Sequence, residues 1–96
     1  MSQITIVAHI RTRADQVSLV QSELEKMVAS TRQEPGCLQY DLHRDNQDPA
    51  HFVMLESWAS PEHLQAHAAG QPMQDFQKAV EGAVESFTVN NLTRIG

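Results

Sequence analysis

Several things are scarce in this chain of 96 residues, and each scarcity removes a class of function. Cys37 is the one cysteine, which leaves neither a disulfide framework nor a thiolate metal site. The seven Lys and Arg are scattered and outnumbered by twelve Asp and Glu, so nucleic acid and anionic membrane surfaces are not expected partners. No apolar run approaches the length of a bilayer span. The first strand pattern is not preceded by a basic and then an apolar segment, so a soluble, cytoplasmic protein is expected. There is no G-x-G-x-x-G, no P-loop and no H-E-x-x-H. The length suits one domain spanning 1–96, but a chain this short buries its core only partly, which a second copy would remedy.

What is present is concentrated in residues 34–58, EPGCLQYDLHRDNQDPAHFVMLESW. Glu34-Pro35-Gly36 predicts a turn, because Pro disfavours helix before it and Gly accepts positive φ. Two strands are expected after it, from Cys37 to Arg44 and from His51 to Trp58, joined by a polar break over Asp45 to Ala50. Ahead of the turn, Gln3 to Arg11 reads as a strand with Ile4, Ile6 and Ile10 on one face and Thr5, Val7 and His9 on the other. A helix capped by Asp15 is predicted to run to about Thr31, with Val17, Val20, Leu24, Met27 and Val28 at helical spacing.

Beyond Trp58, Ser60-Pro61 predicts a helix start, Ser as cap and Pro at the first helical position. Gly70 breaks that helix, and a further one begins near Pro72 with Met73, Phe76, Ala79, Val80 and Ala83 on one side. Ser86 to Ile95 then alternates as a last strand. The order predicts a ferredoxin-like α+β fold, an antiparallel sheet with helices on one face. Phe52, Met54 and Trp58 fall on one side of the third strand and Val53 and Leu55 on the other. With both sides apolar, a second copy is expected to close the open face as a homodimer.

The residues Glu34-Pro35-Gly36-Cys37-Leu38, Tyr40-Asp41-Leu42, Phe52-Val53, Glu56-Ser57-Trp58, Ala66-His67 and Asp75-Phe76 together resemble the antibiotic biosynthesis monooxygenase family, in particular its small stand-alone quinol monooxygenases. The resemblance runs from Ile4 to Leu92. It implies a homodimeric α/β-barrel whose pocket lies between sheet and helices. It also implies oxidation of a small aromatic or quinone-like substrate by O2 with no cofactor, since the best known oxygenases of the family use no metal, flavin or nicotinamide. The haem-degrading branch fits less well, because His9 stands where that branch has Asn in the first strand and His67 where it has Trp.

Within that frame His67, Trp58 and His9 are the candidate catalytic residues. His67 suits a base that takes the first phenolic proton, and equally a half-exposed helix residue. Trp58 suits a wall for an aromatic substrate or a packing residue. His9 suits an orienting group or a buried imidazole satisfied locally. Tyr40, Glu56, Asn91 and Arg94 are the candidate substrate-binding residues, Glu56 with a His or Arg94 as its expected partner. His63 and His67 share a helix face, but two ligands on a short helix rarely hold zinc, so no metal is expected. His43 and His51 read as solvent-facing hairpin residues. Two other readings use the same pocket: an isomerase or tautomerase of a small dicarbonyl, and a non-catalytic ligand-binding module.

Overall fold

The computed structural model describes residues 3–96; Met1 and Ser2, where the expected domain begins, lie outside the described residues. The elements run β1 (Ile4–Thr12), α1 (Val17–Thr31), β2 (Cys37–Asp45), β3 (Asp48–Trp58), α2 (Pro61–Ala69), α3 (Gln71–Ala79) and β4 (Val84–Leu92). Every strand pairing is antiparallel and the order across the sheet is β2-β3-β1-β4. This is the ferredoxin-like arrangement expected from the order of the elements.

Strand alternation decides which residues meet the helices. Ile4, Ile6, Ala8 and Ile10 of β1 stand opposite Trp58, Glu56, Met54 and Phe52 of β3. Val20, Leu24 and Met27 of α1 and Phe76 of α3 are buried with them in one core. Trp58 and Phe52 are fully buried, and each such side chain contributes about 2–3 kcal/mol of transfer free energy. The other face of β1 and β3 carries Thr5, Val7, His9, Val53, Leu55 and Ser57.

Two local features fix α2 against the sheet. Gly36 sits at φ +78°, and a Cβ there would overlap the His63 ring, so only glycine lets the turn approach α2 so closely. Ser60 caps α2 by accepting a hydrogen bond from the His63 backbone N–H at 3.2 Å, with Pro61 in the first turn as its spacing predicts.

The structure corrects four local expectations. Asp15 does not cap α1; Gln16 occupies that position without a side-chain bond, and Asp15 lies 3.5 Å from the Arg13 guanidinium instead. The break expected over Asp45 to Ala50 is shorter, because β3 already begins at Asp48. Asp45 accepts the Gln47 N–H at 2.8 Å and Asp48 the Ala50 N–H at 3.0 Å, so these side chains satisfy the backbone where the ladder bulges. Ala79 is exposed. Finally, β4 ends at Leu92, not Ile95, and Phe87 and Val89 face the helix side while Leu92 pairs with Thr5 on the other.

Candidate active site

Glu56 and Trp58 are two residues apart on β3, so both side chains rise from the same face. The Trp58 indole N–H donates to Glu56 Oε1 at 2.9 Å, with both groups buried. On α2, the first turn set by Ser60 brings His67 round to the sheet, where its ring lies over the indole with centroids 4.7 Å apart. Tyr40, opposite Glu56 in the β2–β3 ladder, meets both rings edge-on, at 5.4 Å from His67 and 6.4 Å from Trp58.

The Glu34-Pro35-Gly36 turn supplies the fifth member. Glu34 Oε1 lies 3.0 Å from His67 Nδ1. An ionised carboxylate only accepts hydrogen bonds, so Nδ1 carries the proton and, in the neutral ring, Nε2 carries the lone pair. Nε2 makes no hydrogen bond among the described residues. His67 is itself 4% exposed and packed among aromatic rings.

Burial shapes the electrostatics. It pushes the Glu56 carboxyl above its ordinary value, against the opposing effects of the Trp58 hydrogen bond and of His67 nearby. Burial, with the Glu56 charge second, also raises the Tyr40 phenol far above its ordinary value, so it stays a neutral donor at physiological pH. Cys37 is raised by burial and by Glu34 and Glu56, which keeps it a thiol.

Tyr40 and Glu56 line a cavity between sheet and helices, floored by Ala8 and Met54 and closed by Phe76 and Phe87. Its volume is about 20 Å³, room for one water. Neither His67 nor Trp58 lines it; both rings pack against Tyr40, which does.

Of the residues singled out from the sequence, the fold therefore brings together His67, Trp58, Tyr40 and Glu56. His9 is separated from them by the sheet itself. Its Nδ1 lies 2.9 Å from Nε2 of His51, whose Nδ1 lies 2.9 Å from Asp45 Oδ2. His51 is thus buried within a hydrogen-bonded chain, not solvent-facing. Asn91 shares a cross-strand row with Ile6 and Glu56 but is exposed. Arg94 lies past β4, its Nε donating to the Gly96 carbonyl at 2.7 Å, so Glu56 pairs with neither it nor a histidine, but with Trp58. Sequence reasoning missed the role of Glu34, which lies 33 residues from His67. Only the position of the turn against α2 joins them, and no spacing rule reports that. Among the described residues no group of three or more His, Cys, Asp or Glu is placed to hold a metal ion. No described helix is long and apolar enough to cross a membrane.

Comparison with known proteins adds the following. The sequence profile of the family "Antibiotic biosynthesis monooxygenase" matches residues 3–79. The chain is 31% identical to "Probable quinol monooxygenase YgiN" of Escherichia coli K12, covering 93% of this chain and 95% of that one. Its structure superimposes on PA3566 from Pseudomonas aeruginosa with a TM-score of 0.95 and 30% identity, over 100% of this chain and 97% of that one. Rv0793 from Mycobacterium tuberculosis shares the fold, with a TM-score of 0.91 at 24% identity, over 99% and 97% of the two chains.

Proposed function

The chain belongs to the antibiotic biosynthesis monooxygenase family, and on that premise we propose that it oxidises a quinol or related polyhydroxy-aromatic with O2, using no cofactor. The observation that carries this reading is the Glu34–His67 pair packed on Tyr40 and Trp58, an imidazole held in one tautomer with its Nε2 unengaged. A substrate that parts the Tyr40 and Trp58 rings brings a phenolic hydroxyl to His67, which takes its proton. The resulting phenolate passes one electron to O2, the two radicals combine at a ring carbon, and loss of water leaves a hydroxyquinone. The balance is quinol plus O2 giving hydroxyquinone plus water. Tyr40 and Glu56 hold the substrate hydroxyls, and the buried aromatic wall keeps water from the reactive anion.

The remaining expectations belong to the same proposal. The whole chain acts as one domain, 1–96. A second copy covers the face that carries Val7, Val53 and Leu55, giving a homodimer with His9 in its interface. Asn91 and Arg94 meet substrate oxygens only at the rim. The lone thiol of Cys37 suits a cytoplasmic setting. The small volume of the cavity favours one rival, proton transfer on a small dicarbonyl, which needs the same base and no oxygen.

The test is oxidation of a panel of hydroquinones under 18O2 with mass analysis. The proposal expects O2 uptake above the uncatalysed rate and one labelled oxygen in the product. Turnover of a dicarbonyl without O2, at unchanged mass, would replace it with the isomerase reading.

A further inference from the structure

The cavity beside Tyr40 and Glu56 holds a water but no aromatic ring at about 20 Å³, so a substrate has to pass one of its walls. Two walls are shared with clefts open to solvent. Met27 and Phe76 also bound a cleft between α1 and α3, whose rim carries Glu23, Lys26 and Asp75. Phe76 and Phe87 also bound a cleft of about 280 Å³ between α3 and β4, with Val80 and Val84 as further walls. An aromatic ring crossing the first passes three charged side chains; crossing the second it passes one, Glu81, and the amide of Gln77.

Phe87 is the movable wall. It lies on the edge strand β4, faces the helix side opposite Ile10, and is 46% exposed, whereas Phe76 behind it is 5% exposed. A side chain exposed to this degree changes rotamer within nanoseconds, while a core ring does not move without repacking. Gly82, at φ +79°, borders the cleft without narrowing it, since a Cβ there would meet nothing within 4 Å.

We propose that the α3–β4 cleft is the way in for a single neutral, hydroxylated aromatic ring, and that Phe87 is its gate. With the Phe87 ring swung outward, cleft and cavity join into a space of about 300 Å³, the small end of ligand pockets. The ring lies against Phe76 and its hydroxyl reaches the Glu56 carboxylate at the inner end. Glu81 on the cleft wall turns away aromatic carboxylates by charge, and the buried Glu56 at its end offers them no cation. The class of ligand rests on the function proposed above; the route rests on the walls alone.

The probe is 4-fluorophenol, which binds without being consumed by O2, titrated into 15N-labelled protein. The Trp58 indole N–H reports arrival at Glu56, because it donates to that carboxylate, and the 19F line gives the exchange rate. The expected result is a saturable shift of the Trp58 signal. Phe87→Ala should raise the exchange rate about tenfold, within the range over which rates vary among variants of one site. Ser30→Phe, which fills the α1–α3 cleft, should leave the rate unchanged, and 4-fluorobenzoate should fail to move the Trp58 signal. Well-dispersed spectra of both variants show that they are folded. The proposal is overturned if Trp58 does not respond, if Ser30→Phe slows exchange while Phe87→Ala does not change it, or if Phe87→Ala alters only self-association. Gated binding without O2 uptake would remove the proposed oxidation and leave the gate. O2 uptake indifferent to Phe87 would do the reverse.

Discussion

Strand β3 separates two carboxylate–imidazole assemblies. On the helix side, Glu34 fixes His67, and His67 leaves a lone pair free beside Tyr40 and Trp58. On the other side, Asp45 fixes His51, and His51 spends its second nitrogen on His9. The chemical parts are alike; the surroundings differ. The first is roofed by α2, walled by aromatic rings and joined through Tyr40 to a cavity. The second sits at the hairpin end of the sheet, with Arg11 and Asp48 paired nearby at 3.3 Å in the open. Asp45 is held below its ordinary value mainly by the His51 hydrogen bond, as expected for a group whose partner serves to anchor it. A histidine becomes a candidate catalyst through what surrounds its free nitrogen: the His67 ring is 4% exposed among aromatic rings, whereas His9, which ends the other series, is only half-buried.

The largest effect expected from this contrast is on stability. Trp58→Ala removes a fully buried ring that carries the helix-side packing and should cost about 4 kcal/mol in chemical denaturation. Leu55→Ala, half-buried on the opposite face of the same strand, should cost clearly less at a protein concentration low enough to separate the proposed two copies. Equal losses would mean that the two faces are equally load-supporting and that the contrast is wrong.

Next in size is Glu34→Gln. The amide oxygen still accepts from Nδ1, but the charge is gone, so quinol turnover should fall roughly tenfold, the worth of one charge-assisted bond, with KM little changed. A change in KM alone would make Glu34 part of substrate binding and not the residue that positions His67.

A pH series sharpens the comparison further. Glu56 is pushed above its ordinary value of 4.5, so the folded chain holds that proton more tightly than the unfolded one. Its contribution to stability is present below the ordinary value and is lost as pH rises through the raised one. Glu56→Gln keeps an acceptor for the Trp58 indole and has no such loss. Relative to the wild type, the variant should therefore gain stability as pH rises from that ordinary value through the raised one. Parallel melting curves across that range would show that Glu56 is not strained by burial. The smallest effect belongs to the open face. Asp45 is held low, so its contribution is present above its ordinary range and fades as pH falls through the lowered value; Asp45→Asn should flatten only that acid limb of the melting curve.

Much of this arrangement was legible in the sequence, and the reasons are local. Alternation in β1 and β3 places Trp58 and Glu56 together and His9 on the other face, and Ser60-Pro61 announces α2. The same alternation does not say which face the helices cover, which is why His9 reads as a pocket residue until the fold is seen. The Glu34–His67 pair was hidden because it joins a turn to a helix across 33 residues. His51 was hidden because an Asp- and Pro-rich stretch reads as loop, whereas Asp45 and Asp48 tie that stretch into the ladder and bury the imidazole.

The central claim is that the helix-side assembly, and not its counterpart across the sheet, carries the chemistry. O2 uptake with hydroquinone, compared between His67→Ala and His51→Ala, tests it most directly. The account predicts a loss of about a hundredfold in the first, the usual worth of a general base, and near wild-type turnover in the second once both are shown to be folded. Full turnover in His67→Ala, or its collapse only in His51→Ala, would contradict it.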